Sequence, residues 1–150
     1  MPTELSREEM LAKVDEHGLH EAAFEWEATL ATMGDTPVYL YYPWRLRCSD
    51  AEAITEAWVR LFSFPWFDPS RRTEPSTLDV YVNDDSVLRI RNFTFVGDDG
   101  RPRRTTMASR FSFEGPLLTT ESVFFDAAMI EYMDSRFGAD FRALPGVEEF

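Results

Sequence analysis

Apolar residues recur at helical spacing along the first third of the chain. Ser6-Arg7-Glu8-Glu9 has the form of a capping box, Ser followed by Glu three positions on, and predicts a helix start. Met10, Leu11 and Val14 give that helix an apolar stripe, and the same face continues through His17, Gly18 and Glu21. Gly18 offers a break, because glycine costs about 1 kcal/mol inside a helix relative to alanine. A second stripe, Leu19, Ala22, Ala23, Trp26, Leu30 and Met33, runs to a stop signal at Gly34-Asp35. Ser6 to Met33 therefore reads as two helices or one kinked helix. Thr36–Tyr42 is β-branched and aromatic and reads as a strand ended by Pro43. A second capping box, Ser49-Asp50-Ala51-Glu52, opens a helix with Ile54, Ala57, Trp58, Leu61 and Phe62 on its buried face.

The pattern then changes to a period of two. Phe64–Pro75 is a proline-rich loop whose Phe64, Trp66 and Phe67 should cover a pocket or an interface, or fold back on the body. Leu78–Val82 and Val87–Val96 read as strands separated by Asn83-Asp84-Asp85. In the second, Leu88 and Ile90 differ in parity from Phe93 and Phe95, which predicts a bulge near Arg91-Asn92. Asp98-Asp99-Gly100 marks a turn. Arg103–Asp126 is a long hairpin about Glu114-Gly115-Pro116, with Met107, Ser109, Phe111 and Phe113 on one face. It feeds a helix, Asp126–Phe137, stopped by Gly138. Helices early and strands late predict an α+β domain over residues 1–150: a cone-shaped, curved antiparallel sheet with the N-terminal helices packed on its concave face.

Composition narrows the functions open to such a fold. Aromatic residues make up 15% of the chain, enough to fill a core or to line a pocket for an apolar ligand. The formal net charge of −12 repels phosphate backbones and argues against a nucleic-acid partner. The basic clusters, Arg71-Arg72 and Arg101–Arg104, sit beside turns. The lone Cys48 rules out an intrachain disulfide. The polar N-terminus is no signal peptide, and no apolar run is long enough for a membrane span, so a soluble cytoplasmic protein is the default expectation.

Candidate chemistry is sparse. His17 and Glu21 lie one turn apart, where a carboxylate can orient an imidazole for acid–base work. A solvated pair at a helix break, or a histidine capping a helix end, is the simpler alternative. Tyr39, Tyr41 and Tyr42 cover both strand parities, so at least one phenol faces inward; sheet packing alone accounts for any single one. Ser109 and Asn92 are polar at positions expected to face inward. His17, His20 and Glu21 give too few convergent ligands for zinc, and no phosphate loop or nucleophile elbow occurs, so neither a metal nor a cofactor is expected.

The element order, together with Ala28–Pro43, the helix that begins at Ser49 and the closing Thr119–Met133, resembles the nuclear transport factor 2-like superfamily, its SnoaL-like and ketosteroid-isomerase-like members. The resemblance implies a cone that binds an apolar or aromatic small molecule and a homodimer formed through the outer sheet face, where Phe93, Phe95 and Phe124 are the candidates. It implies cofactor-free isomerisation, dehydration or cyclisation if the protein is an enzyme, and otherwise a non-catalytic binding or dimerisation module. The acids such isomerases use are missing: Tyr42 stands where the base precedes the proline, Ser109 where the oxyanion donor lies, and His17 near the position of their tyrosine. Val123 stands where limonene-epoxide hydrolases need an acid. The expected machinery is therefore His17 as acid–base, Glu21 as its orienter and Tyr42 as donor, with Tyr39, Trp44, Asn92, Met107, Ser109 and Phe111 shaping the pocket.

Overall fold

The first helix starts as its capping box dictates: Ser6 Oγ accepts from the Glu9 N–H at 3.2 Å, and the Glu9 carboxylate accepts from the Ser6 N–H at 2.8 Å. The computed structural model describes residues 3–62 and 76–150, so the Phe64–Pro75 loop and Arg71-Arg72 lie outside the described residues. Helix α1 (Arg7–Ala22) continues through Gly18. The turn falls later, where Phe24 takes φ +61°, and α2 (Trp26–Ala31) follows. Gly18 fails to break the helix because one glycine costs far less than the cooperative packing of Met10, Val14 and His17, all buried.

Strand β1 (Met33–Tyr41) gives way to a 3-10 turn at Tyr42–Trp44 and a short β2 (Leu46–Cys48). Before α3 (Ala51–Phe62), the Asp50 carboxylate accepts from the Glu52 N–H at 2.8 Å, so Asp50 rather than Ser49 supplies the cap. The remaining elements are β3 (Ser76–Val82), β4 (Ser86–Val96), β5 (Pro102–Glu114), β6 (Leu117–Phe125), α4 (Ala127–Asp134), α5 (Ala139–Arg142) and β7 (Val147–Glu149). They form one curved seven-stranded sheet of order β3-β4-β5-β6-β1-β2-β7. Its pairs are antiparallel except β1 with β6, which run parallel and bring Tyr39 beside Glu121.

The register decides which side chains enter the cone. β4 and β5 pair without interruption from Ser86 opposite Ser112 to Val96 opposite Pro102. The expected bulge at Arg91-Asn92 is therefore absent from this ladder; an irregularity lies instead in β3, between Thr77 and Asp79. Arg89, Arg91, Phe93 and Phe95 consequently share the inner face with Ser109 and Phe111, and Leu88, Ile90 and Asn92 share the outer one. This corrects two expectations. Phe95 is buried, its ring 5.3 Å from that of Tyr132, so it is not part of an outer apolar face, and Phe93 shares its parity. Asn92 is buried on the side away from the cone, in register with Thr106. Phe124 is the candidate that does face outward, 40% exposed and stacked on Tyr42 at 4.3 Å.

Two glycines make opposite demands on the chain. Gly146, at φ +78°, turns the tail into β7, and a Cβ there would meet the Asp50 Cβ at 2.2 Å. Gly18 is helical, and a Cβ there would meet nothing within 4 Å. Gly146→Ala should lower unfolding free energy by about 1–3 kcal/mol, whereas Gly18→Ala should raise it by about 0.5–1 kcal/mol. Urea denaturation of both variants checks the pair; a destabilised Gly18→Ala would contradict the continuous α1.

Candidate functional site

His17 owes its position to α1. One turn beyond Val14 and two beyond Met10, it continues their stripe and is fully buried against the sheet. Its Nδ1 lies 2.6 Å from Thr32 Oγ1. The Thr32 hydroxyl donates its only proton to the Thr29 carbonyl at 2.6 Å, so its oxygen must accept from His17 Nδ1–H. The tautomer is thereby fixed, and Nε2 is the nitrogen left to gain or lose a proton.

Nε2 points at the Tyr39 hydroxyl, 2.7 Å away, with Glu121 Oε2 to its side at 3.4 Å. Distance alone would make the second contact a hydrogen bond, but Oε2 has no well-directed donor among the described residues. It is a charge–charge contact, and Tyr39 is the group hydrogen-bonded to Nε2. Glu121 is 3% exposed. It sits between Tyr39 on β1 and Phe111 on β5, its neighbours in the two ladders. The Phe111 ring meets the imidazole edge-on at 6.0 Å. Glu21, one turn after His17, brings a third donor atom, and the three groups' ligand atoms lie within 4.8 Å of one another.

Burial and charge oppose each other here. Burial pushes the His17 imidazole toward neutrality, but Glu121, with the more distant Glu21, outweighs both burial and the opposing charge of Arg91, and the pKa stands above its ordinary value. Burial likewise pushes the Glu121 carboxyl up, and His17 above all, with the nearby Tyr39 hydroxyl, brings it below the usual carboxylate range. Both shifts favour the imidazolium and carboxylate forms of the pair. In that state Nε2–H donates to the Tyr39 oxygen, and the phenol is free to turn its proton toward Glu121. Burial first, then the charges of Glu121 and Glu21, hold the Tyr39 hydroxyl protonated well above the ordinary phenol range, and burial, then Cys48 and the same two carboxylates, do so for Tyr41.

The structure gathers His17, Glu21, Tyr39, Ser109 and Phe111 around this centre and leaves out others. Tyr42 is corrected: β1 ends at Tyr41, the chain enters the 3-10 turn, and the Tyr42 ring lies half-exposed between Phe124 and Phe150 on the outside. Trp44 donates Nε1–H to Asp134 at 3.1 Å and packs edge-on against Phe137, away from His17. Met107 is on the inner face, two positions along β5 from Ser109 and partly buried. The residue missed from sequence is Glu121, and Tyr41, weighed there with Tyr39 and Tyr42, stands outside the expected machinery. The signal for Glu121 was its parity with Val123 and Phe125, a lone charge on an apolar face. It also supplies the third convergent metal-type ligand that the sequence did not offer, although a cation on Nε2 would displace Tyr39 from that nitrogen.

Tyr41 Oη, Trp58 Nε1 and Ser109 Oγ are buried inside the cone without a hydrogen-bond partner among the described residues. A cavity of about 500 Å³ lies elsewhere, lined by Glu56, Arg60, Asp98, Arg136 and Asp140. Its cations are already matched, Arg60 by Glu56 and Asp140, and Arg136 by Asp98.

Compared by sequence, the chain matches no family model and no curated protein. Compared by structure, it is similar to a nuclear transport factor 2-like protein of unknown function from Burkholderia pseudomallei, at TM-score 0.66 and 14% identity over 85% of this chain and 98% of that one. It is similar to TerC, co-crystallised with polyporic acid, at TM-score 0.65 and 12% identity over 84% and 98%. A candidate ketosteroid isomerase from Kribbella flavida matches at TM-score 0.62 and 13% identity over 80% and 79%. At these identities the likeness establishes the fold, that of the nuclear transport factor 2-like proteins.

The charge balance at His17 gives a measurable outcome. By side-chain NMR, the His17 pKa should lie above about 6.5, and in Glu121→Gln it should fall below that value, because burial and the Arg91 charge are then opposed only by the more distant Glu21. Sign follows for stability: the imidazole's contribution is complete below its unfolded pKa and is lost as pH rises through the folded value. The carboxylate's is complete above its unfolded pKa and is lost as pH falls through the folded value. The wild type's advantage over Glu121→Gln should therefore peak between about pH 4.3 and 6.5.

Proposed function

We propose that this chain, whose fold is that of nuclear transport factor 2-like proteins, holds an apolar or aromatic small molecule in its cone and transforms it by cofactor-free proton transfer. The observation that carries the reading is the buried His17–Tyr39–Glu121 array, in which Thr32 locks Nδ1 and leaves Nε2 as the exchanging atom. An imidazolium and a carboxylate side by side can deliver a proton to one atom of a substrate and remove one from another, the requirement of isomerisation, dehydration and cyclisation alike. Tyr41, kept protonated by burial, is suited to donate to a developing oxyanion. The structural likeness to TerC, crystallised with a small organic compound, is consistent with this use of the cone.

A second reading has its own support. Tyr39, Tyr41 and Trp58 are all at most 1% exposed, as expected if the cone is filled by its own aromatics and the chain acts as a non-catalytic binding or dimerisation module. In either case we propose a homodimer through the outer sheet face, around Phe124.

Native mass spectrometry of freshly purified protein should show a bound small molecule, and with the substrate in hand His17→Ala and Glu121→Gln should each lower turnover by about 10²-fold or more. Unchanged turnover in His17→Ala would remove the acid–base reading. Phe124→Asp should convert the dimer to monomer in sedimentation velocity; if it leaves the sedimentation coefficient unaltered, the outer face is not the interface.

A further inference from the structure

Arg91 stands apart from the other arginines. Among the described residues Arg47, Arg60, Arg89, Arg103, Arg136 and Arg142 are also withdrawn from solvent to some degree, and each has a carboxylate within ion-pair distance. Arg91 has none among the described residues, and its Nε, like those of Arg89 and Arg136, is buried without an acceptor among them. The ladder places it on the inner face of β4, across from Met107 on β5 and Thr77 on β3, so its cross-strand neighbours offer no counter-charge. Its nearest same-face neighbours along β4 are Arg89, already paired with Asp15 at 2.6 Å, and Phe93. A guanidinium partly removed from water and left unpaired is costly to keep.

We propose that Arg91 anchors a carboxylate carried by the ligand, so that the small molecule held in the cone is an organic acid with an apolar body. This deepens the proposed function and rests on the cone being the ligand site. The planar fork of arginine matches a carboxylate with two parallel N–H donors. The site also needs such a group: in a chain of net charge −12, an acidic ligand is repelled at long range and must find a local cation. Arg89, the next inner-face residue along β4, lies opposite Ser109, so Arg91 shares its face of the sheet with the proton-transfer centre, and its charge opposes that of His17. Met107 and Phe93, beside it on the inner face, are apolar, as the body of such a ligand requires.

The test uses aromatic fragments in matched pairs, each as the carboxylate and as the primary carboxamide, with dissociation constants from ligand-detected NMR. On the wild type, the carboxylates should bind at least about tenfold more tightly than their amides. Arg91→Met should abolish that preference while leaving amide binding unchanged, and Arg91→Lys should keep part of it. If Arg91→Met does not fold, as judged by circular dichroism, Arg91→Gln takes its place. Amides that bind as well as carboxylates, or a preference that survives loss of the guanidinium, would overturn the anchor and leave the cone as a ligand site. If neither series binds, the anchor and the ligand-site reading fall together.

Discussion

Bringing an imidazolium and a carboxylate out of water costs several kcal/mol for each ion, and their mutual attraction repays this only where the surroundings complete it. His17 and Glu121 meet that condition because five elements of the inner cone each contribute a group. α1 supplies the imidazole and Glu21; the end of α2 supplies Thr32; β1 supplies Tyr39; β5 supplies Ser109 and Phe111; β6 supplies the carboxylate. The tyrosines add hydroxyls that stay protonated, so they act as donors and never as competing anions. The polar centre and the aromatic core are therefore one construction. The rings exclude the water that would weaken the pair, and the pair gives the rings a single arrangement.

Much of this was legible in the sequence, for physical reasons that also mark where reading stopped. A capping box and a 3.6-residue stripe placed His17 on the inner face of α1, because helix periodicity is local. Alternation in β5 likewise placed Ser109 and Phe111. Glu121 lay beyond reach because β6 changes register between Ser112 and Phe113 of its partner, so a count from the hairpin turn assigns it to the wrong side. Counting back from Phe125 would have found it. Tyr42 lies outside because a strand ended by Pro43 counts it in, whereas the strand stops at Tyr41 and the chain enters a 3-10 turn. The parallel partnership of β1 and β6 has no local signature at all, since it joins segments from opposite halves of the chain.

Charge is distributed with the same economy. The acidic surplus lies mostly on the surface, where water and salt screen it. Inside, three cations are matched, His17 by Glu121, Arg89 by Asp15 and Arg136 by Asp98, while Arg91 faces the cone without a matched carboxylate among the described residues. Charges held this way feel their near neighbours more than the bulk surplus, so buried acid–base groups can be tuned independently of it.

The parallel pairing of β1 with β6 has a consequence for how the protein comes to be competent. Tyr39 is made early in synthesis and Glu121 late, and the parallel ladder that joins them cannot close before β6 has been made. Pairing of such high sequence separation pays its loop-closure entropy before any contact rewards it, and is a late step in folding. The centre around His17 therefore cannot exist in a nascent or half-folded chain. Until the last long strand docks, the imidazole has no carboxylate and the carboxylate has no imidazole. Competence arrives all at once, with the completion of the sheet.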